Sequence, residues 1–484
     1  MTDSLKSTTI RAISWSFIDS VVVRGLQFII GVLLARILFP EHFGLIGMLM
    51  VFLAVAEAFM YSGFGIALIQ KMDVEQADTC SIFYFNIFMG VIAASILCLT
   101  APWIAKFYNQ PILTSMLRVL SVTLIINSLS LIHTVLLIKE VNFKRLTKVN
   151  LISSVTSGII GVWLATTGFG VWSLVAQQVS SSFFRAITLW VINSWRPSLI
   201  FSLDALRKMF GFGSKLLFSN LLNQTFNNIY SLVIGKLFSA RDLGFYSRAK
   251  SLQEISSFTD TIWRVTFPVF SKIQDDPARL KRGVKKTLTW IVLVNFPLMI
   301  GLLVISRPLV IVLLTEKWTQ SIPYFRLFCV SGLMLPFDMM NMNVLMALGR
   351  SDIYLRLEII KKILVILSIS IMWRYGIIYI IYGMIATDFI SCFISSYYTK
   401  IFIKYSILEQ LNDCLLSFFV SVAMGIIVFI IGMISFDNIY SGLFVQIVSG
   451  VVIYIILCRL FKLDAFMEIL KDSWSKLSYL GIKV

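Results

Sequence analysis

Apolar runs of about 20 residues recur from end to end of this 484-residue chain, each long enough to cross a bilayer as a helix. Hydrocarbon offers no partner for backbone N–H and C=O groups, so such a chain must form helices or a closed β-barrel. A barrel would show short segments of alternating polarity instead. Only 14% of the residues are charged and 58% are hydrophobic, against roughly a quarter charged in soluble proteins. The fold class is therefore an all-α polytopic membrane protein.

Hydropathy predicts about 14 transmembrane helices. Six lie near residues 12–34, 44–69, 79–103, 113–138, 148–167 and 170–192. Six more lie near 211–234, 243–270, 287–305, 322–348, 355–373 and 377–399, and a final pair near 413–434 and 441–460. The first run is interrupted by Asp19 and Arg24 and has no small-residue cleavage site, so retention is expected rather than removal as a signal peptide. Basic residues fall unevenly on alternate loops, roughly 27 against 7. The rich set includes Lys139, Lys144, Arg145, Lys281, Arg282, Lys285, Lys286, Arg350, Lys361 and Lys362. Positive loops stay inside, so that set and both termini are expected to be cytoplasmic. The longest loops, 193–210 and 271–286, lie on that side and leave no room for a soluble domain.

The chain also repeats itself. Ala35-Arg36-Ile37-Leu38 leading to Phe43-Gly44-Leu45 is echoed by Gly235-Lys236-Leu237-Phe238 leading to Leu243-Gly244-Phe245. A polar stripe in the preceding span recurs as well: Ser20, Arg24 and Gln27 in one copy, Asn220, Gln224 and Asn227 in the other. Six spans per copy make the repeats parallel, related by an axis along the membrane normal. The expected division is an N-lobe over 1–195, a C-lobe over 196–405, and a C-terminal helix pair with its tail over 406–484.

Charge in hydrocarbon costs at least about 2.5 kcal/mol per residue, so intramembrane polar groups face a cavity or a partner. In the first span Ser16, Ser20 and Gln27 fall near one line, flanked by Asp19 and Arg24. The seventh span carries Asn220, Asn223, Gln224, Asn227 and Ser231 in one narrow stripe. Interhelical hydrogen bonding accounts for single amides; a stripe mirrored in both repeats points to a wet cavity between two lobes. Arg24 lies too deep to snorkel. It either binds a phosphate or pyrophosphate, as a guanidinium does well, or pairs with Asp19 or Glu57. Lys250–Glu254 and Asp260–Arg264 have the four-residue spacing of ion pairs, and Lys250 is a further cavity candidate. Glu57, Asp338 and Asp388 are isolated intramembrane carboxylates, suited to coupling with Na⁺ or H⁺ or to bonding a neighbouring helix. Arg118, Arg185 and Arg326 lie near predicted span ends, where snorkelling explains them.

The net charge of +17 reads as cytoplasmic loops against anionic headgroups rather than as nucleic-acid binding. The six cysteines and two histidines show no metal-ligand spacing. No nucleotide-binding glycine loop with lysine and serine or threonine is present. No catalytic residue, metal or cofactor is expected.

Three segments carry a resemblance. Leu34-Ala35-Arg36-Ile37-Leu38-Phe39-Pro40-Glu41-His42-Phe43-Gly44-Leu45 resembles the first loop of polysaccharide exporters of the multidrug/oligosaccharidyl-lipid/polysaccharide superfamily. Ile138-Lys139-Glu140-Val141-Asn142-Phe143-Lys144-Arg145-Leu146 resembles their loop after the fourth helix. Val265-Thr266-Phe267-Pro268-Val269-Phe270-Ser271-Lys272-Ile273-Gln274-Asp275-Asp276 resembles the end of their eighth helix. All three are characteristic of the Wzx-type branch that exports lipopolysaccharide, colanic acid and teichuronic acid precursors. The resemblance implies two six-helix lobes plus two C-terminal helices in a bacterial cytoplasmic (inner) membrane. It implies flipping of undecaprenyl-diphosphate-linked oligosaccharide to the periplasmic leaflet by alternating access, alongside a polysaccharide polymerase and chain-length proteins. Arg24 falls where related flippases place a cavity arginine in the first helix. The amide-rich seventh helix departs from their cavity arginines and suits sugar hydroxyls. The nearly uncharged last two helices either line a groove for the polyprenyl tail or simply pack on the second lobe. Two other readings stand: a cation-coupled multidrug antiporter of the same fold, which needs an acidic, aromatic-lined pocket, and a membrane polysaccharide polymerase or glycosyltransferase, which needs outer catalytic loops.

Overall fold

The computed structural model describes residues 22–61, 64–71, 73–255, 259–434 and 436–469. Among them the chain is helical and no strand occurs. It divides into two compact units, Met1–Ser247 and Arg248–Val484. The first holds α1 (22–37), α2 (Pro40–Tyr61), α3 (Phe64–Gln70), α4 (Gln76–Tyr108), α5 (Ile112–Lys139), α6 (Phe143–Thr166), α7 (Val171–Ile192), α8 (Leu203–Asn227) and α9 (Ile229–Leu237). Helix α10 (Ala240–Ile255) leads into the second. There follow α11 (Thr259–Lys272), α12 (Pro277–Val304), α13 (Ser306–Leu314), α14 (Ile322–Gly332), α15 (Leu335–Ala347), α16 (Ser351–Met372), α17 (Ile377–Ile403), α18 (Ile407–Met433) and α19 (Ile439–Leu460).

Eight of the described helices are long and apolar enough to cross a membrane: α2, α4, α5, α6, α12, α17, α18 and α19. Glu316–Gly332 and Leu335–Ala347 make a ninth if joined, bent by 41°. That bend departs from the single span expected over 322–348. Pro336 in the first turn of α15 supplies no N–H and crowds the preceding turn. The remaining expected spans are the polar ones: α1, α7, the α8–α9 and α10–α11 pairs, and α16. The chain is a multi-pass helical membrane protein.

The basic loop expected over 271–286 is largely helix. Asp276 caps α12 by accepting from the Arg279 N–H, and Pro277 stands at the first helical position. The helix then runs through its basic turns: Lys281 pairs with Glu409 at 2.9 Å, Lys285 with Asp413 at 2.6 Å and Lys286 with Glu468 at 2.9 Å. The other long loop is strapped along the start of α4. Trp195 Nε1 donates to Gln76 Oε1 and Gln76 Nε2 to the Arg196 carbonyl, each at 2.9 Å, and the Ser202 N–H donates to Ser81 Oγ at 2.8 Å.

The two sequence repeats touch one another. Gly44, in the second turn of α2, and Gly244, in the second turn of α10, sit at the same position of their motifs. A Cβ on Gly44 would overlap the Ala240 carbonyl oxygen and lie 3.0 Å from the Gly244 nitrogen. A Cβ on Gly244 would overlap the Pro40 carbonyl oxygen and lie 3.3 Å from the Gly44 nitrogen. Backbone meets backbone at this crossing, which only two hydrogen side chains permit. Around it Leu243, Phe245 and Tyr246 are buried. The recurrence in sequence thus encodes a near-symmetric contact in space.

Candidate functional site

Three features lie within the spans. In the first unit, α1, α6 and α7 form an open hollow of about 360 Å³ lined by Gln27, Ile30, Ser154, Ser157, Gln177, Gln178, Ser181 and Ser182. Among the described residues, three amides, four hydroxyls and one aliphatic side chain line it, and none is ionisable. Ser154, Ser157 and Gln177–Ser182 fall near the middle of their helices, so the hollow lies midway along α6 and α7. Its walls close because α6 carries glycine at two contacts. A Cβ on Gly158 would overlap Ile30 of α1, and one on Gly161 would lie 3.0 Å from the Gln177 Cβ.

Gln27 is the expected cavity residue that lines this hollow. Arg24 lies three residues earlier on α1 and is exposed, about 4.5 Å away in helix rise. Asp19, Ser16 and Ser20 lie outside the described residues. Along α8, Asn220 is half-buried and Asn223, Gln224 and Asn227 are exposed. The helix breaks at Asn228, whose Nδ2 donates to the Gln224 carbonyl at 2.9 Å. The seventh span is therefore two helices, with the amides on the first.

The residues of α6 and α7 were not anticipated. Their signal was legible: Gln177-Gln178-Val179-Ser180-Ser181-Ser182 is a polar run inside an otherwise apolar span. Arg185 lies near a predicted span end, where the sequence alone suggests snorkelling. Its Nε is buried without a hydrogen-bond partner, and the guanidinium acts electrostatically on Glu57 of α2. Glu57 Oε1 also accepts from Asn127 Nδ2 of α5 at 3.4 Å. This carboxylate is tied to its neighbours.

The second feature is a charged cluster in the second unit. Lys361 Nζ contacts both carboxylate oxygens of Asp338, at 3.0 and 2.8 Å, and Ser395 Oγ donates to the same carboxylate at 3.2 Å. Lys361 stands midway along α16 and is 18% exposed. The stretch read as a basic loop around Lys361 is therefore helix, and the lysine is turned toward Asp338. Asp388 Oδ2 accepts from Ser331 Oγ at 2.5 Å and feels both Asp338 and Lys361. Lys250 pairs with Glu254 at 3.7 Å along α10. The side chains of Asp260 and Arg264 lie outside those described. Removing Lys361 leaves a carboxylate in the bundle without its cation, which costs about 3 kcal/mol. Lys361→Met is expected to lower the thermal midpoint in detergent, and the double variant with Asp338→Asn to recover most of the loss.

The third feature is an apolar groove of about 430 Å³ between α12, α13, α18 and α19, lined by Leu298, Leu302, Leu309, Met424, Val428 and Val451 among others. Its two polar side chains are turned inward: Tyr454 donates to the Leu293 carbonyl at 2.7 Å and Gln446 to the Val428 carbonyl at 3.4 Å. The last helix pair therefore packs on the second unit and lines a groove at once.

Comparison with known proteins gives this architecture its relatives. The chain is 28% identical over 379 residues to the lipopolysaccharide biosynthesis protein WzxC of Escherichia coli, covering 76% of each chain. It is 26% identical over 389 residues to the teichuronic acid biosynthesis protein TuaB of Bacillus subtilis, covering 77% of this chain and 78% of that one. In fold it superposes on the inward closed conformation of the lipid II flippase MurJ with a TM-score of 0.75 at 18% identity, over 93% of this chain and 99% of the other. The profile of one family, described as polysaccharide biosynthesis protein, matches residues 33–323, from the end of α1 through the start of α14. The chain belongs to that polysaccharide biosynthesis protein family.

Proposed function

We propose that this protein is a flippase that moves undecaprenyl-diphosphate-linked oligosaccharide from the cytoplasmic to the periplasmic leaflet, for synthesis of a surface polysaccharide. The observation that carries this reading is the uncharged polar hollow midway along α6 and α7. A glycan head group cannot enter hydrocarbon without its hydroxyls losing their hydrogen bonds, and a bundle that keeps amides and hydroxyls at its centre supplies replacements. Arg24 lies beside the hollow as the contact for the diphosphate, and the exposed amides of α8 serve the glycan. The apolar groove of the second unit suits the polyprenyl tail. Names of relatives fit: lipopolysaccharide and teichuronic acid biosynthesis for the sequence, a lipid flippase for the fold.

Alternating access needs a driving force, and the chain carries no nucleotide-binding loop. With Asp338 held by Lys361, Asp388 is the carboxylate better placed to take up and release the coupling cation. The multidrug reading needs an acidic, aromatic pocket, and among the described residues the hollow has neither side chain type. In proteoliposomes, the purified protein is expected to expose labelled lipid-linked oligosaccharide to a membrane-impermeant reagent at a rate that rises with an imposed cation gradient. Asp388→Asn should flatten that gradient dependence. Transport of a fluorescent organic cation, unaffected by Arg24→Ala, would instead establish the antiporter.

A further inference from the structure

We propose that the hollow between α1, α6 and α7 is a subsite for an uncharged sugar ring of the carried head group, distinct from the diphosphate contact. This deepens the flippase reading and rests on it. The lining decides the chemistry. A diphosphate calls for cationic donors and an organic cation for carboxylates or aromatic faces; among the described residues none of these lines the hollow. A sugar hydroxyl both donates and accepts, and so do each of the three amides and four hydroxyls.

The internal hydrogen bonds leave that capacity available. Ser157 Oγ spends its proton on the Ser154 carbonyl at 3.2 Å, which leaves its lone pairs to accept. Gln178 Nε2 approaches the Met50 sulfur at 3.9 Å, a weak acceptor that a hydroxyl oxygen outcompetes. The walls are set in advance, because Gly158 and Gly161 admit Ile30 and Gln177 directly onto α6. The volume, about 360 Å³, falls at the small end of ligand pockets, about 300–1,000 Å³. It suits a short part of a glycan rather than a whole repeat.

Position completes the case. In a glycosyl diphosphate the phosphate is bonded directly to the first sugar. Arg24 and Gln27 lie within one turn of α1, about 4.5 Å of rise apart. A phosphate at Arg24 therefore leads a sugar into the hollow, with Arg24 nearer the cytoplasmic end of the helix. The pocket reads the sugar and Arg24 reads the anion, so a head whose first sugars are acidic should bind poorly.

The test uses the full-length protein in nanodiscs and two probes: bare undecaprenyl diphosphate, and lipid-linked oligosaccharide extracted from the host strain. The wild type is expected to bind the glycosylated lipid about tenfold tighter than the bare lipid. Gln178→Leu combined with Ser181→Ala should weaken the glycosylated lipid about tenfold, as expected for the loss of one or two net hydrogen bonds. It should leave the bare lipid within about twofold, which also reports that the variant is folded. Should that variant not fold, Gln178→Asn gives the same readout, with a drop of about threefold in glycosylated binding alone. Equal weakening of both probes, or of neither, overturns the sugar subsite while leaving the flippase intact. Failure of the wild type to bind either lipid overturns the flippase reading itself.

Discussion

Arg24→Ala is expected to reduce export of lipid-linked oligosaccharide by about 10- to 100-fold. Hydrogen bonds to a charged partner contribute about 1.5–3 kcal/mol each, and every 1.4 kcal/mol is about tenfold in affinity. In the proposed contact, the substitution removes the planar donor fork that would grip two phosphate oxygens at once. Arg24→Lys keeps the charge and loses the fork, so it should fall between the two. The readout is binding of bare undecaprenyl diphosphate, measured beside surface polysaccharide in cells. Arg24→Ala should weaken bare and glycosylated carrier alike, unlike changes in the α6–α7 hollow. If Arg24 serves only to balance a carboxylate, Arg24→Ala will lower thermal stability and leave carrier binding unchanged.

Gly244→Val should be the most damaging change at a position with no polar chemistry. Its Cβ would overlap the Pro40 carbonyl oxygen, and a helix backbone cannot yield as a side-chain tip can. The two helices must separate. Overpacking costs about 1–3 kcal/mol and occasionally more, and a backbone obstacle belongs at the upper end. Gly44→Val should behave alike, because its Cβ would overlap the Ala240 carbonyl oxygen in the mirrored contact. Gly25→Ala is the control: among the described residues nothing lies within 4 Å of a Cβ at that position. Export should fall at least tenfold in both valine variants with the protein still present in the membrane, and remain near wild type in the control. Equal export from all three would mean that the crossing of the repeat motifs is not required for transport.

These expectations depend on features that differ in how far the sequence reveals them. Spans that face lipid are plain in hydropathy, because their composition answers to one solvent. Expected 113–138 is observed as Ile112–Lys139, and expected 441–460 as Ile439–Leu460. Helix ends in water are not plain, since hydropathy stops where the bilayer does while α12 continues outward to its Asp276 cap. The bend before Pro336 was hidden for a related reason: apolar composition runs unbroken across it. The repeat was visible as a pattern, but nothing in a pattern says that Gly44 and Gly244 meet each other. Stripes on single helices pointed to Gln27 and the α8 amides. Which helices face Gln27 is a tertiary fact, and it brings in Ser154, Ser157, Gln177, Gln178, Ser181 and Ser182. The Lys361–Asp338 pair joins two helices, so no pattern along one segment could show it.

The central claim is that this chain carries a glycan head across the oil. The most direct measurement is leaflet-resolved detection of lipid-linked oligosaccharide in cells from which the protein has been removed. The account predicts that the glycolipid is stranded on the cytoplasmic face and that the intact chain restores it to the outer face. Glycolipid that gathers, unpolymerised, on the periplasmic face of such cells would contradict it.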